Sequence, residues 1–235
     1  MRRTGILTLL LVVVAVGACS SGSSKSGGTP TTTAADPPAT SAERIARAGL
    51  LRPSDFPKGY RTGQPTESDD AAIRGTPACA AFPLLTDHGI ATAYSPSFLS
   101  PNTLVGNTVD VFSDTKPPRA FIEELRDPAI VGCLHNLVVA SLAGSPSTAS
   151  TSVDVSPIAV DGAGEDASAF RFTLTTTTDG APTTTLQDQV VVRVGRAILI
   201  LRPVAKTAGD LAQLETRLLP VLVARLKQAG AFRTS

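Results

Sequence analysis

The sequence predicts an α+β fold: a curved antiparallel sheet with helices packed on one face and a long C-terminal amphipathic helix. Two observations lead to it. Residues 152–204 alternate apolar and polar side chains in three or four runs separated by turn residues, the pattern of consecutive antiparallel strands. Residues 207–229 then carry Leu211, Leu214, Leu218, Leu222 and Leu226 at helical spacing.

In chain order, Arg2 and Arg3 precede an apolar run from Ile6 to Val16. Eleven residues at about 1.5 Å each reach only ~17 Å, short of the ~30 Å hydrocarbon core, so residues 1–18 read as an export signal rather than a membrane span. Val16-Gly17-Ala18-Cys19 resembles the bacterial lipobox. What that resemblance implies is thioether lipidation of Cys19, cleavage before it, and stable anchoring through two or more acyl chains. Residues 19–41 are Ser, Gly, Thr, Pro and Ala with one Lys and one Asp after the cysteine, a composition that cannot bury a core. As a flexible tether this segment would span about 25–28 Å. Thr31-Thr32-Thr33 beside prolines is a candidate for O-glycosylation, with plain linker as the simpler reading.

Residues 42–235 suit a single extracytoplasmic domain. Ser41 reads as the cap of a short helix ending near Ala48, before Gly49. Pro53 and Pro57 forbid a regular helix or central strand there, and a strand is expected around Tyr60, then a polar loop through Asp69 and Asp70. Thr76-Pro77 opens a helix carrying Cys79 that Pro83 shortens. Ala91 to Leu99 reads as extended, and Asn107 to Ser113 as a strand with Val109 and Val111 on one face. Lys116-Pro117-Pro118 starts a helix with Phe121 and Leu125 stacked at i, i+4. Asp127-Pro128 ends that helix and caps the next, Ala129 to Leu142, whose buried stripe is Cys133, Leu134, Leu137, Val138 and Leu142. Phe170, Phe172 and Leu174 alternate against Arg171, Thr173 and Thr175; Asp179-Gly180 then makes a hairpin to Leu186–Val194. Gly195 turns the chain into Ala197–Val204, and Pro220 is expected to kink the last helix.

Cys79 and Cys133 form an even pair once Cys19 carries lipid, and in an oxidising compartment a disulfide is their expected state. A redox or metal-binding pair would need a spacing such as C-x-x-C, which is absent. Catalytic groups are scarce. Asp87-His88-Gly89 could hold a base beside a carboxylate, but sequence neighbours rarely make that geometry, and no G-x-S-x-G elbow is present. Asp161-Gly162-Ala163-Gly164-Glu165-Asp166 could loosely bind Ca²⁺, with a solvated turn as the simpler reading. The two histidines are far apart, so no metal site and no cofactor is expected. The chain has no basic stripe and no Trp, which argues against nucleic acid as a partner. Arg193 and Arg202, on neighbouring strands, are candidates to meet an anionic ligand, and His135 is a candidate to face a groove.

Asn107-Thr108-Val109-Asp110-Val111-Phe112, the following amphipathic helix, Cys133, Phe170-Arg171-Phe172, Val191-Val192-Arg193-Val194-Gly195 and the leucine-rich end together resemble the extracytoplasmic sensor-like domains of actinobacterial lipoproteins, similar to the PknH-type sensor domain. The similarity runs over about residues 50–230. Those domains typically carry two disulfides, and this chain has cysteines for one. The resemblance implies an α/β sandwich outside the membrane with a groove for a small ligand; no functional residue is carried over from it. The expected function is a membrane-anchored, extracytoplasmic, non-enzymatic domain that binds a small molecule or an envelope protein. An envelope carrier of acyl chains is the alternative, and a hydrolase a remote one.

Overall fold

The structure is a computed structural model and describes residues 40–65, 70–143, 150–160 and 166–232. The export signal, Cys19 and nearly all of the tether lie outside those residues. Helix α1 (Ser41–Ala48) is capped by Thr40 rather than Ser41: the Thr40 hydroxyl accepts from the Glu43 amide, and the Glu43 carboxylate accepts from the Thr40 amide. Glu43 is thus correctly placed for a capping box one residue earlier than expected.

Strands β1 (Arg61–Pro65), β2 (Ala91–Tyr94), β3 (Pro96–Leu99), β4 (Thr103–Val111), β5 (Ser150–Pro157), β6 (Asp166–Thr178), β7 (Ala181–Val194) and β8 (Ala197–Ala205) form one sheet in the order β1-β3-β4-β8-β7-β6-β5, with β2 also on β4. Every strand pair is antiparallel. Asp179 and Gly180, both at positive φ, close the β6–β7 hairpin, as the sequence predicts. At the β7–β8 turn Gly195 has φ +59°, and a Cβ there would stand 2.4 Å from the Ala231 carbonyl oxygen. No other residue fits that approach.

The remaining helices are α2 (Asp70–Gly75), α3 (Lys116–Glu124), α4 (Ile130–Ala143) and α5 (Ala208–Gln228). Helix α2 begins where a polar loop was expected, and the helix expected after Thr76-Pro77 is a single 3₁₀ turn, Pro77–Cys79, followed by another at Pro83–Thr86. Prolines six residues apart leave no room for a full α-helix. Asp127 does cap α4, accepting from the Ala129 amide. Pro220 lies on the exposed side of α5, which runs on without a break. The carbonyl it cannot satisfy belongs to exposed Thr216, where water is at hand.

The fold class is the expected one, but the helices do not all lie on one face. Along β7 and β8, Val190, Val192, Val194, Leu199 and Leu201 pack with α1 and α5, whereas Val191, Ile198 and Ile200 pack with α3 and α4. Successive strand residues point to opposite faces, so the two clusters are separate cores with the sheet between them. The near-continuous apolar runs Val190–Val194 and Ala197–Leu201 are the cause: a strand apolar on both faces must be covered on both.

Candidate functional site

On the α3/α4 side of the sheet, the stretch of β2, β4 and β8 beyond Ile200 is polar. Thr92 is paired with Asp110, Tyr94 with Thr108, Thr108 with Ile200, and Gly106 with Arg202. Asp110 is 4% exposed; its Oδ1 lies 2.6 Å from Thr92 Oγ1 and 3.4 Å from His88 Nδ1. Thr92 Oγ1 is also 3.0 Å from the His88 carbonyl oxygen. The Thr92 hydroxyl donates to Asp110 Oδ1, with the His88 carbonyl as its second acceptor. Burial pushes the Asp110 carboxyl upward, against the hydrogen bond from Thr92 and the nearby His88. Arg202 Nη1 donates to Thr108 Oγ1 at 2.9 Å. Burial draws the Arg202 guanidinium down, and Asp110 and Tyr94 oppose that.

The structure separates the candidates named from sequence. Arg202 lies in this polar stretch. Arg193 is on the same face but opposite Ile198, four residues from Arg202 along the ladder, or about 13 Å. It is 8% exposed, and its Nε and Nη2 donate to Asp166 Oδ2 at 3.0 and 2.9 Å, while Nη1 donates to the Gly195 carbonyl at 3.3 Å. The Arg193 hydrogen bond, joined by one from Arg126, holds the Asp166 carboxyl below its usual range. His135 is half-buried on α4, which packs on β5, three strands away from β8. The sulfurs of Cys79 and Cys133 are bonded, Cα to Cα 4.7 Å, which ties the Pro77–Cys79 turn to α4. Beside that bond, Gly75–Ala78 with Asn136 and Ala140 line a shallow depression of about 440 Å³.

Asp87 Oδ1 accepts from the Gly89 amide, and Asp110, on β4, sets a carboxylate beside His88 Nδ1. Of the acidic turn, residues 161–165 lie outside the described residues, and Asp166 is held by Arg193 and Arg126. Two clusters escaped the sequence reading: Asp110 with Thr92 and His88, and Glu215 with Asp188 and Arg171. Each left a trace, Asp110 as an acid between Val109 and Val111, Glu215 as an acid inside the leucine stripe. Among the described residues no group of three or more His, Cys, Asp or Glu is placed to hold a metal, and no helix is long and apolar enough to cross a membrane.

Fold and site together define a disulfide-stapled α+β domain with a helix core on each face and a polar stretch of sheet. No protein-family model and no curated protein sequence matches the chain. Among solved structures it is similar to the extracellular domain of PknH from Mycobacterium tuberculosis, at 12% identity and a TM-score of 0.47, over 80% of this chain and 97% of that one. It is also similar to LpqN of Mycobacterium tuberculosis, described as involved in cell envelope biogenesis, at 14% identity and a TM-score of 0.29, over 74% of this chain and 80% of that one.

Proposed function

We propose that this chain is a lipid-anchored, extracytoplasmic, non-enzymatic domain that binds a ligand or partner on the polar stretch of its sheet. Residues 1–18 are the signal, Cys19 carries the lipid, 19–41 are the tether and 42–235 the binding domain. The observation that carries the reading is the lipobox Val16-Gly17-Ala18-Cys19 ahead of a domain whose other two cysteines are bonded to each other. A disulfide persists in an oxidising compartment, and an export signal leads to one. The non-enzymatic part is supported by the engagement of the polar groups: the Thr92 hydroxyl is committed to Asp110 and the His88 carbonyl, and Arg193 to Asp166. The acyl-carrier alternative draws no support from the α5–sheet interface. Leu211, Leu219, Leu222 and Leu226 are 0% exposed there, so no water-sized void touches them.

Palmitate labelling in the native host, with mass analysis of the mature amino terminus, tests the anchor. The expected product begins at Cys19 with diacylglyceryl and acyl groups, and Cys19→Ser abolishes labelling. An unmodified amino terminus on the wild-type protein sinks it.

A further inference from the structure

The sheet has two end strands, and only one of them is defended. β1 is five residues long, opens on Arg61, closes on Pro65 and slips register between Gly63 and Pro65. Charge, proline and irregular pairing keep a strand edge from recruiting another chain. β5, at the other end of the strand order, is eight residues long and pairs with β6 from Ser150 to Pro157 without a slip. It holds no Lys or Arg, Asp154 is its one charge, and its proline comes last.

The Ile158 amide donates to the Ala169 carbonyl, the residue opposite it, and this fixes the phase of the β5–β6 ladder. Ser152, Asp154 and Ser156, an even number of steps from Ile158, turn their backbone groups toward β6. Thr151, Val153 and Val155 turn theirs away. Among the described residues no hydrogen bond reaches those outward groups. Pro157 falls in the outward set, where a missing N–H costs the ladder nothing.

The edge is also complementary to itself. Let two copies of β5 run antiparallel about a two-fold axis at Val153. Val153 then faces Val153 of the second copy, Thr151 faces its Val155, and Ser152 faces its Asp154. The outward N–H and C=O groups of Thr151, Val153 and Val155 all find partners in this register. Asp154 is exposed and makes no hydrogen bond or ion pair among the described residues, so its carboxylate can accept from the serine hydroxyl across the seam. No like charges stand opposite each other. Helix α4 packs on β5, and an axis normal to the sheet brings both copies of α4 to the same side. Residues 130–143 contain no Asp, Glu, Lys or Arg, and Val139 among them is 43% exposed. Two such helices approach without repulsion and add apolar area that a strand edge alone lacks.

We propose that β5 is the seam of a homodimer, in which two copies of this chain join edge to edge into one continuous antiparallel sheet. The seam stands whether or not the domain also binds a ligand.

Two measurements on the full chain in detergent, with micelles in excess, test it. In the first, Ser152→Cys chains are mixed with Asp154→Cys chains, oxidised, and the cross-linked peptides are identified by mass. The register sets those two positions opposite each other, whereas in either variant alone the two new thiols are two residues out of step, with Cα atoms beyond the disulfide limit of about 7 Å. The mixture is expected to give the 152–154 bond, and neither variant alone a bond between its new thiols. In the second, sedimentation equilibrium follows monomer and dimer. Ser152→Asp puts carboxylates face to face twice across the seam and weakens the dimer at least tenfold. Ser152→Asp/Asp154→Lys restores it to within threefold, and Arg61→Gln, on the opposite edge, leaves it within twofold. A wild-type chain that stays monomeric overturns the seam and leaves the edge to an extended segment of another protein. A dimer indifferent to Ser152→Asp, or a mixture without the 152–154 bond, overturns it as well. Should Ser152→Asp lower the melting temperature, the cysteine pair, which brings in no new charge, decides the matter.

Discussion

Glu215, in the apolar stripe of α5, lies against Asp188 of β7, whose two carboxylate oxygens are taken by Arg171 Nε and Nη2 at 2.8 and 2.6 Å. Asp188 is fully buried and Glu215 is 7% exposed, with Oε1 unpartnered. Two carboxylates that face one another repel, which favours the protonated form of Glu215. Burial first, then Asp188, pushes the Glu215 carboxyl up to about 8. In the unfolded chain the same group titrates near its ordinary value of about 4.3. Between those values the folded state binds more protons, so stability falls as pH rises. We expect a loss on the order of 3 kcal/mol from pH 5 to 9, and a nearly flat profile for Glu215→Gln, with the variant the more stable at pH 9. Urea unfolding at several pH values measures it; parallel curves for the two proteins would falsify the raised Glu215 carboxyl.

Reduction of Cys79–Cys133 releases a loop of 54 residues. Loop-closure entropy sets the loss at up to about 4 kcal/mol, and strain or residual structure lowers it. Both sulfurs are buried, so the folded protein should resist mild reductant and react only on unfolding. Thiol titration of the folded chain checks this: two free thiols under native conditions end the prediction, and a Cys79→Ser/Cys133→Ser protein should melt at a lower urea concentration, with a steeper slope because its unfolded chain is no longer cross-linked.

Most of the fold was legible because local signals and tertiary need agreed. The Asp179-Gly180 turn, the Phe170/Phe172/Leu174 alternation and the leucine stripe each state their structure locally, and each formed. The helix layers were misread because one face was assigned to a sheet whose central strands are apolar on both, a fact already visible in Val190–Val194. The site was less legible. Arg193 and Arg202 look alike in sequence, yet only the ladder shows that Asp166 meets one and Gly106 the other. Asp110 and His88 are 22 residues apart and meet through the β2–β4 pairing, which no local pattern encodes.

Asp55 closes the turn after Pro53 against α5. Its oxygens receive Arg225 Nη1 at 2.9 Å, Nη2, and the Arg52 amide at 2.8 Å. Burial raises this carboxyl, but the bonds from Arg225 and Arg52 outweigh it, leaving the group below its usual range. The stability it adds is present above the unfolded value of about 3.9 and is lost as pH falls through the folded one. Asp55→Asn should cost about 1–3 kcal/mol at pH 7 and show little difference from wild type at pH 2, read by thermal melts at both. A constant deficit at both pH values contradicts the ion pair as its source.

Asn107 fastens the start of the domain to the centre of the sheet by hydrogen bonds. It is 3% exposed on β4; its Oδ1 accepts from the Leu51 amide and its Nδ2 donates to the Gly49 carbonyl, both at 2.9 Å. Those groups follow the end of α1, where the backbone has no helical partner to satisfy it. Asn107→Ala strands both inside the core, at about 1–3 kcal/mol for each unsatisfied group. Asn107→Asp keeps the acceptor but sets a buried negative charge against the Gly49 carbonyl, and should be at least as harmful. Since α1 packs on β2, β4 and α5 while β5–β8 pair among themselves, the loss should be local first. Hydrogen exchange should speed up at residues 41–51 in Asn107→Ala well before β7 and β8 lose protection. Uniform acceleration across the sheet would mean instead that α1 and the sheet unfold as one unit, and that Asn107 joins nothing that can come apart.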